Sequence, residues 1–571
     1  MNIYMIDGIG PFFEPHPKGK INWSKIPFAT LERDGLVDRA LFRGIRESFA
    51  RVARSAAAMG FNAISLDDLA HLVEHFCYEP ALRRRIAVYR EEFRSLFEIA
   101  ADAGLKVYLT TDIAYFNREL DELLGDDDGR IIRFLTGAVD QIFRDFPQVE
   151  GIIVRFGESD GVDVKGDFLS RPVLRSPKQA RRYFQCLLAV CEAHKRNLVI
   201  RTWSLGAYTL GDLMWNRHTY DKVFGGLHSQ RLIISMKYGE TDFFRYVPLC
   251  AHFHNDPHHQ KLVEFQARRE YEGFGEYPSF IGWDYERYAH ELAGCQNVVG
   301  ISVWSQTGGW SSARSITFLK NSSVWNELNV WVTVYLFRHH LGVEEAVRAF
   351  CVARLPGRNP VKLLELLKLS SEVIREGLYF EDYARCAVYF RRLRLPPLFH
   401  VFWDTALITS SIRTLMRHFV VNRRAAIKQG YSVLEKIQRM VELAELLALP
   451  ANGLRSQHAF FKILAVAREW FLGRRSREVE ERLTCLIREY QHHQTGSQIF
   501  IVQLRPSRLN WGVVNLGLRA LTRKQSSYRL VDRLVLLRLL SWLGWLLKFW
   551  PRHRLPSLAV SQGMGIRHFL K

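Results

Sequence analysis

Eight short runs rich in aliphatic and β-branched residues recur through roughly the first 340 residues, each followed by a stretch with helical spacing. They read IYMID (3–7), AISL (63–66), KVYLTTD (106–112), GIIVRFGE (151–158), LVIRTWS (198–204), RLIISMKYG (231–239), KLVEFQA (261–267) and VVGISVWS (298–305). Several are apolar on both faces, as strands of a parallel sheet covered by helices must be. The intervening RALFRGIRESFARVARSAAAMG and EEFRSLFEIAADAG end at Gly60 and Gly104, where a helix C-terminus favours glycine. Eight strand-then-helix units are the requirement of a (β/α)8 TIM barrel, which is the expected α/β fold, with an open doubly wound sheet as the lesser alternative. Helical spacing continues in GVEEAVRAFCVAR, PVKLLELLKLSSEVIREGL, YSVLEKIQRMVELAELLAL and SREVEERLTCLIREY, without any recognisable chemistry. The expected organisation is a barrel over 1–341, an α-helical C-terminal domain over 342–492 and a basic tail over 499–571.

In a TIM barrel the active site lies at the C-terminal strand ends. Here those ends carry Asp7, Asp67, Asp68, Asp112, Glu158, Trp203, Glu240, Asp242, Glu270, Trp304 and, further on, Trp310. Carboxylates and tryptophans dominate, and no HExxH or phosphate-binding loop is present. Paired carboxylates with aromatic platforms suit glycosidic cleavage: one acid protonates the leaving oxygen, one base activates water, and flat rings take sugar faces. Strand-end Asp and Glu also serve as helix N-caps, which is the plainer reading of Asp67 and Asp68. The segment KLVEFQARREYEGFGEYP (261–278) poses the sharpest question, because Glu264 and Glu270 leave an otherwise apolar strand beside Arg268 and Arg269. An ion pair with either arginine is the structural alternative to a catalytic role.

Taken in order, MGFNAISLDD, GLKVYLTTDIA, FPQVEGIIVRFGES, KYGETDFF, LVEFQARREYEG and VVGISVWSQTGGW resemble the catalytic barrel of glycoside hydrolase family 67, the α-glucuronidases. The resemblance implies inverting hydrolysis of an α-linked uronic acid or related sugar from a glycan. It implies Glu158 as general acid, with Asp242 and Glu270 sharing the general-base role. Glu264 becomes a polar residue of the same site, and Tyr271 and Trp310 become sugar contacts. Trp203, Arg201, Trp304 and Asp112 complete the expected substrate-binding set, and Arg155, Arg201 and Arg245 are nominees for a uronate carboxylate. The sequence departs from the family in two places. The family carries a β-rich domain before its barrel, whereas here Ile3 opens the first strand, and the turn at Glu158 is about one residue shorter, so Ser159 is the alternative occupant of the acid's slot.

No cofactor and no metal are expected. Four histidines in AHFHNDPHHQ (251–260) lack the spacing of a recognised metal site, and the loop reads instead as a polar substrate contact on the active face. The eight cysteines form no CxxC pair and read as reduced thiols of a cytoplasmic protein, and the N-terminus lacks a secretion signal. Of a formal net charge of +20, residues 501–571 supply 13 Lys and Arg against the single acid Asp532, a net of +12. That excess points to an anionic partner for the tail. Within 528–554, Val531, Val535, Leu539, Trp542, Leu546 and Phe549 share one stripe of a helix flanked by arginines. Such a helix suits an anionic membrane surface at the cytoplasmic face, or equally a dock on the protein itself, and nucleic acid is not expected. The rival to a hydrolase is a catalytically silent glycan-binding barrel serving polysaccharide synthesis at the membrane surface. A lyase or isomerase would need a metal or a low-pKa lysine, neither of which the sequence places.

Overall fold

The computed structural model describes residues 1–15, 25–157, 166–170, 173–204, 210–306, 315–320, 322–390, 393–493 and 499–505. Eight parallel strands close into a barrel: β1 (Ile3–Asp7), β2 (Ala63–Asp67), β3 (Lys106–Asp112), β4 (Val149–Arg155), β5 (Asn197–Arg201), β6 (Leu232–Lys237), β7 (Gln260–Gln266) and β8 (Val298–Trp304). They neighbour one another in chain order, and β1 seals the ring between β2 and β8, with Met5 opposite Ala63 and Tyr4 opposite Ile301. The expected barrel is therefore the observed one.

Helix boundaries follow local capping chemistry. Asp38 accepts hydrogen bonds from Ala40 and Leu41 N–H at the start of the helix Arg39–Met59, and Gly60 ends it at φ +103°, a conformation favouring glycine. Along the strands, side chains alternate between the helix layer and the barrel lumen. Met5, Ala63, Tyr108, Ile153, Val199, Ile233 and Leu262 form a separate apolar cluster that plugs the lower lumen. Two residues further along the same strands, the lumen-facing positions become Asp7, Ser65, Thr110, Arg155, Arg201, Ser235 and Glu264. The floor is apolar and the upper lumen polar. That switch, from one layer to the next, concentrates chemistry at the C-terminal mouth.

β4 and β5 are shorter than the expected 151–158 and 198–204. Past Arg155 and Arg201 the chains leave the ladder and touch again only through a bridge between Gly157 and Ser204. A Cβ at Gly157 would run into the Trp203 carbonyl, so this close approach requires glycine.

Beyond the barrel lie the helices Val343–Arg354, Pro360–Val373, Ser410–Phe419, Arg423–Leu446, Asn452–Leu472 and Arg477–His493. Short strands also occur there, at Tyr389–Phe390, Leu393–Arg394, Val401–Phe402 and Thr405–Thr409. Ile501–Arg505 pairs in parallel with Thr405–Thr409, and the Phe500 ring stacks on Phe460 at 4.3 Å. Residues 499–505 are thus built into the helical region, while 506–571, with the 528–554 stripe, lie outside the described residues. One continuous apolar core runs from the barrel helices through the helical region. At the N-terminus of the helix Asn452–Leu472, Gly453 lies so close to the Glu276 carbonyl that a Cβ would collide with it. All eight cysteines are free thiols. No helix among the described residues is long and apolar enough to cross a membrane.

Candidate active site

Two sets of hydrogen bonds span the upper lumen, and both skip over an intervening strand. Arg155 on β4 donates to Asp67 on β2 at 2.6 Å and to Asp112 on β3 at 3.2 Å, while Lys25 Nζ reaches Asp112 at 2.8 Å and Ser170 Oγ at 3.1 Å. Burial pushes the Asp67 carboxyl up to about 7, against the pull of Arg155. On the other side, Arg201 of β5 grips Glu264 of β7 with Nε and Nη2 at 3.1 and 3.0 Å. Ser235 Oγ and Trp304 Nε1 donate to the same carboxylate at 2.7 and 3.2 Å. Burial favours the neutral acid, but Arg201 and Lys237 outweigh it and hold Glu264 below the usual carboxylate range.

These contacts reassign several expected substrate residues. Glu264 pairs with Arg201 and not with Arg268 or Arg269. Four donors fill its two oxygens, and it is 1% exposed. Trp304 carries the Arg201 guanidinium over its ring at 4.6 Å and is itself buried, so its ring belongs to the ion cluster. Asp112 anchors Arg155 and Lys25. Arg245 is buried against Glu272 and Asp284, away from the lumen.

The candidate general base, Asp242, sits just past the end of β6. Lys237 Nζ and the Phe243 N–H donate to its Oδ1 at 2.5 and 2.9 Å, and the Tyr271 hydroxyl donates to Oδ2 at 2.6 Å. Burial would raise this carboxyl, but Lys237 and Tyr271 reverse the shift and keep it low. Asp242 is therefore ionised, and its Oδ2 retains a lone pair for a water. The Lys237 ammonium also lies 3.6 Å from the centre of the Trp203 ring. Trp203 is half-buried, and its Nε1 has no partner among the described residues.

Glu270 is the chain neighbour of Tyr271, past the end of β7. The Gln266 side chain fixes it twice, donating to Oε2 and accepting the Glu270 N–H, both at 3.0 Å. Arg268, 0% exposed, lies within range of the Glu270 charge. Tyr271 stacks on Phe244 at 4.4 Å, which orients its hydroxyl toward Asp242. Two residues on, Glu272 is clamped by Arg245 and Arg269 at 3.2 and 3.0 Å, by Ser279 Oγ at 2.5 Å and by the Tyr379 hydroxyl at 2.8 Å. The two arginines draw its carboxyl far below the usual range despite complete burial. Tyr379 belongs to the helical region, as does Arg394, whose guanidinium meets Glu240 at 2.6 Å beside Asp242. The helical region thus contributes polar groups to the rim of the mouth.

Glu158 and Trp310 lie outside the described residues, but Gly157, the neighbour of Glu158, is fixed on the C-terminal rim by its bridge to Ser204. The histidine loop is on the opposite face. His259 contacts Leu227 O at 3.1 Å and Asp256 at 2.8 Å, and Asn297 donates to the Asp256 and His259 carbonyls, all below the starts of β6, β7 and β8. The expected substrate contact by this loop is corrected accordingly: the residues leading directly into a strand start lie at its N-terminal end. No group of three His, Cys, Asp or Glu able to hold a metal occurs among the described residues.

Lys237, Gln266, Lys25 and Arg394 are site residues that sequence reasoning missed. The first two were accessible from alternation, since Ile233, Ser235 and Lys237 share a face, as do Leu262, Glu264 and Gln266. Lys25 and Arg394 arrive from loops, and no periodicity marks them.

No protein-family model matches the sequence, and no curated protein matches it. Among solved structures the chain is similar to a GH138 enzyme targeting pectin rhamnogalacturonan II, at 11% identity and a TM-score of 0.49, over 87% of this chain and 62% of that one. It is also similar to CpGH84B, at 11% identity and TM-score 0.38, over 78% of this chain and 68% of that one. A family 5 xyloglucanase from Paenibacillus pabuli matches at 13% identity and TM-score 0.33, over 51% of this chain and 90% of that one.

Proposed function

We propose that the chain is a glycoside hydrolase that cleaves an α-linked uronic acid or related sugar from a glycan with inversion, the α-glucuronidase type of reaction. The observation that supports it most is the hydrogen bond that ties Asp242 to Tyr271, the chain neighbour of Glu270, past the strand ends of a polar-lined barrel. Asp242, ionised and tied to Tyr271, accepts the proton of a water that attacks the anomeric carbon, and Glu270 shares in holding that water. Glu158, three residues beyond Arg155 in the sequence, donates its proton to the leaving oxygen. In an inverting enzyme the acid and base carboxyls stand ~6.5–9.5 Å apart, with room for the water between them. Lys237, tied to Asp242, and the half-buried Trp203 ring lie beside that base.

A second reading draws on the same Asp242. Three donors already satisfy much of this carboxylate and weaken it as a base, which suits a barrel that binds a glycan without turning it over. The experiment is a panel of aryl α- and β-glycosides and uronides, with product anomers followed by NMR. The hydrolase reading expects turnover with inversion, and losses of at least ~10²-fold in Glu158→Gln, Asp242→Asn and Glu270→Gln. Carbohydrate affinity without turnover on any member would establish the binding barrel instead.

A further inference from the structure

A strongly basic surface lies in the helical region, away from the contacts that build the barrel mouth. It forms where the helix Ser410–Phe419 crosses the C-terminal end of the helix Asn452–Leu472. Arg413 Nη2 and Arg417 Nη1 converge on the Gly473 carbonyl at 2.8 and 2.7 Å, and Arg417 also reaches Leu472 O at 2.7 Å. Arg423 Nη2 donates to Arg417 O at 2.7 Å. Exposed Arg474 and Arg475 follow Gly473 directly, and exposed Arg424 follows Arg423.

Capping a helix C-terminus accounts for part of this arrangement, because the carbonyls there carry partial negative charge. It does not account for the rest. Arg413 is 8% exposed, and its Nη1 has no hydrogen-bond partner among the described residues. A buried guanidinium N–H left unpaired is costly unless a ligand completes it. No described carboxylate forms an ion pair with any of these six arginines. Burial, with Arg417 and Arg475 alongside, lowers Arg413 to about 10, and Arg417 is lowered by burial and by Arg423. The Arg413 guanidinium lies over the Trp470 ring at 5.3 Å, and no described carboxylate serves the cluster as a counter-ion.

We propose that this arginine cluster binds the phosphate groups of an anionic lipid surface. Guanidinium forks match phosphate geometry. Two further observations favour a lipid surface over a soluble phosphate. Val421, between Arg417 and Arg423 in the chain, is 87% exposed, an apolar side chain presented to solvent as in interfacial segments. In addition, Arg505 pairs with Thr409, immediately before the helix that carries Arg413 and Arg417. The chain therefore leaves toward its basic, tryptophan-bearing C-terminal stretch from beside this cluster. The proposal does not depend on the barrel's activity.

The test uses the full chain and sedimentation with vesicles of phosphatidylcholine, with or without phosphatidylglycerol. Each basic residue near an anionic surface contributes about fivefold in binding, so the triple variant Arg424→Gln, Arg474→Gln, Arg475→Gln should bind the anionic vesicles on the order of 10²-fold more weakly. The three side chains are exposed and make no described hydrogen bonds, so the variant should keep the parent's melting temperature. The same loss should appear on a background with Arg529, Arg533 and Arg538 changed to Gln, which separates this surface from the C-terminal stretch. Unchanged binding by the triple variant, or equal binding to neutral vesicles, overturns the proposal. So does a protein that ignores both vesicles yet is stabilised by inorganic phosphate through these arginines, because its ligand would be soluble phosphate.

Discussion

Replacing Glu264 by Gln tests whether this carboxylate supports the barrel or serves the sugar. Glu264 accepts four hydrogen bonds, two from Arg201 and one each from Ser235 and Trp304. Gln preserves the shape but removes the negative charge and turns one acceptor into a donor, which then faces other donors. Arg201, 6% exposed, loses the carboxylate that holds its Nε and Nη2. Removing one partner of a buried ion pair costs about 3–5 kcal/mol. Replacing both, as Arg201→Met with Glu264→Leu, removes the uncompensated charge and leaves only Ser235 and Trp304 without an acceptor, at ~1–3 kcal/mol each. The double variant should therefore be less destabilised than the two single variants summed, by about 2 kcal/mol or more. Hydrogen exchange at the amides of β5, β6 and β7 measures the loss locally and does not require a chain of this size to unfold in one step. A Glu264→Gln protein within ~1 kcal/mol of the parent that has lost carbohydrate affinity would refute the reasoning and return Glu264 to the substrate.

Lys237→Met should raise the Asp242 carboxyl and move the acid limb of the kcat/KM profile upward with it, because only the ionised form serves as base. In the parent that limb lies below the ordinary carboxylate range, and an acid limb unmoved in the variant would remove Lys237 from this role. Asp7 has a folded-state pKa raised to about 6 by burial, although Ser305 and Gln306 donate to it. It binds more protons folded than unfolded, so its contribution to stability is fully present below its unfolded value of about 3.9 and is lost as pH rises toward about 6. Calorimetry at several pH values should accordingly show the melting-temperature gap between parent and Asp7→Asn changing, in the parent's disfavour, across that window and staying constant above it. Glu272→Gln should cost about 3–5 kcal/mol, because Arg269 loses its carboxylate partner and Arg245 is left with Asp284. Denaturant titration would show this, and a loss under ~1 kcal/mol would mean that the cluster does not hold the two regions together.

The barrel was legible because its signal is repetition: eight apolar runs at regular spacing survive errors in any one of them. The ends of β4 and β5 were not, since Gly157 and Ser204 meet through one isolated bridge that alternation cannot distinguish from continued strand. Asp242, Tyr271 and Glu270 could be nominated from their place after β6 and β7, and Tyr271 does meet Asp242. The partner of Glu264 could not, because Arg201 lies 63 residues away and meets it only across the lumen of the closed ring. Nearby Arg268 and Arg269 looked the better partners on sequence distance, yet Arg269 pairs with Glu272 and Arg268 lies over the Phe274 ring. The short strands at 401–409 were hidden in a helical neighbourhood, where their pairing depends on Ile501–Arg505, nearly a hundred residues downstream.

The missing Cβ at Gly453 lets a helix end rest directly on the carbonyl of Glu276, six residues after Glu270. Tolerance to substitution in this chain should therefore not decline smoothly with distance from the mouth. A single added methyl at that contact would displace the loop that carries Glu270 and Tyr271. In a saturation-mutagenesis map, a sensitive position would stand out deep in the helical half, with no chemistry of its own.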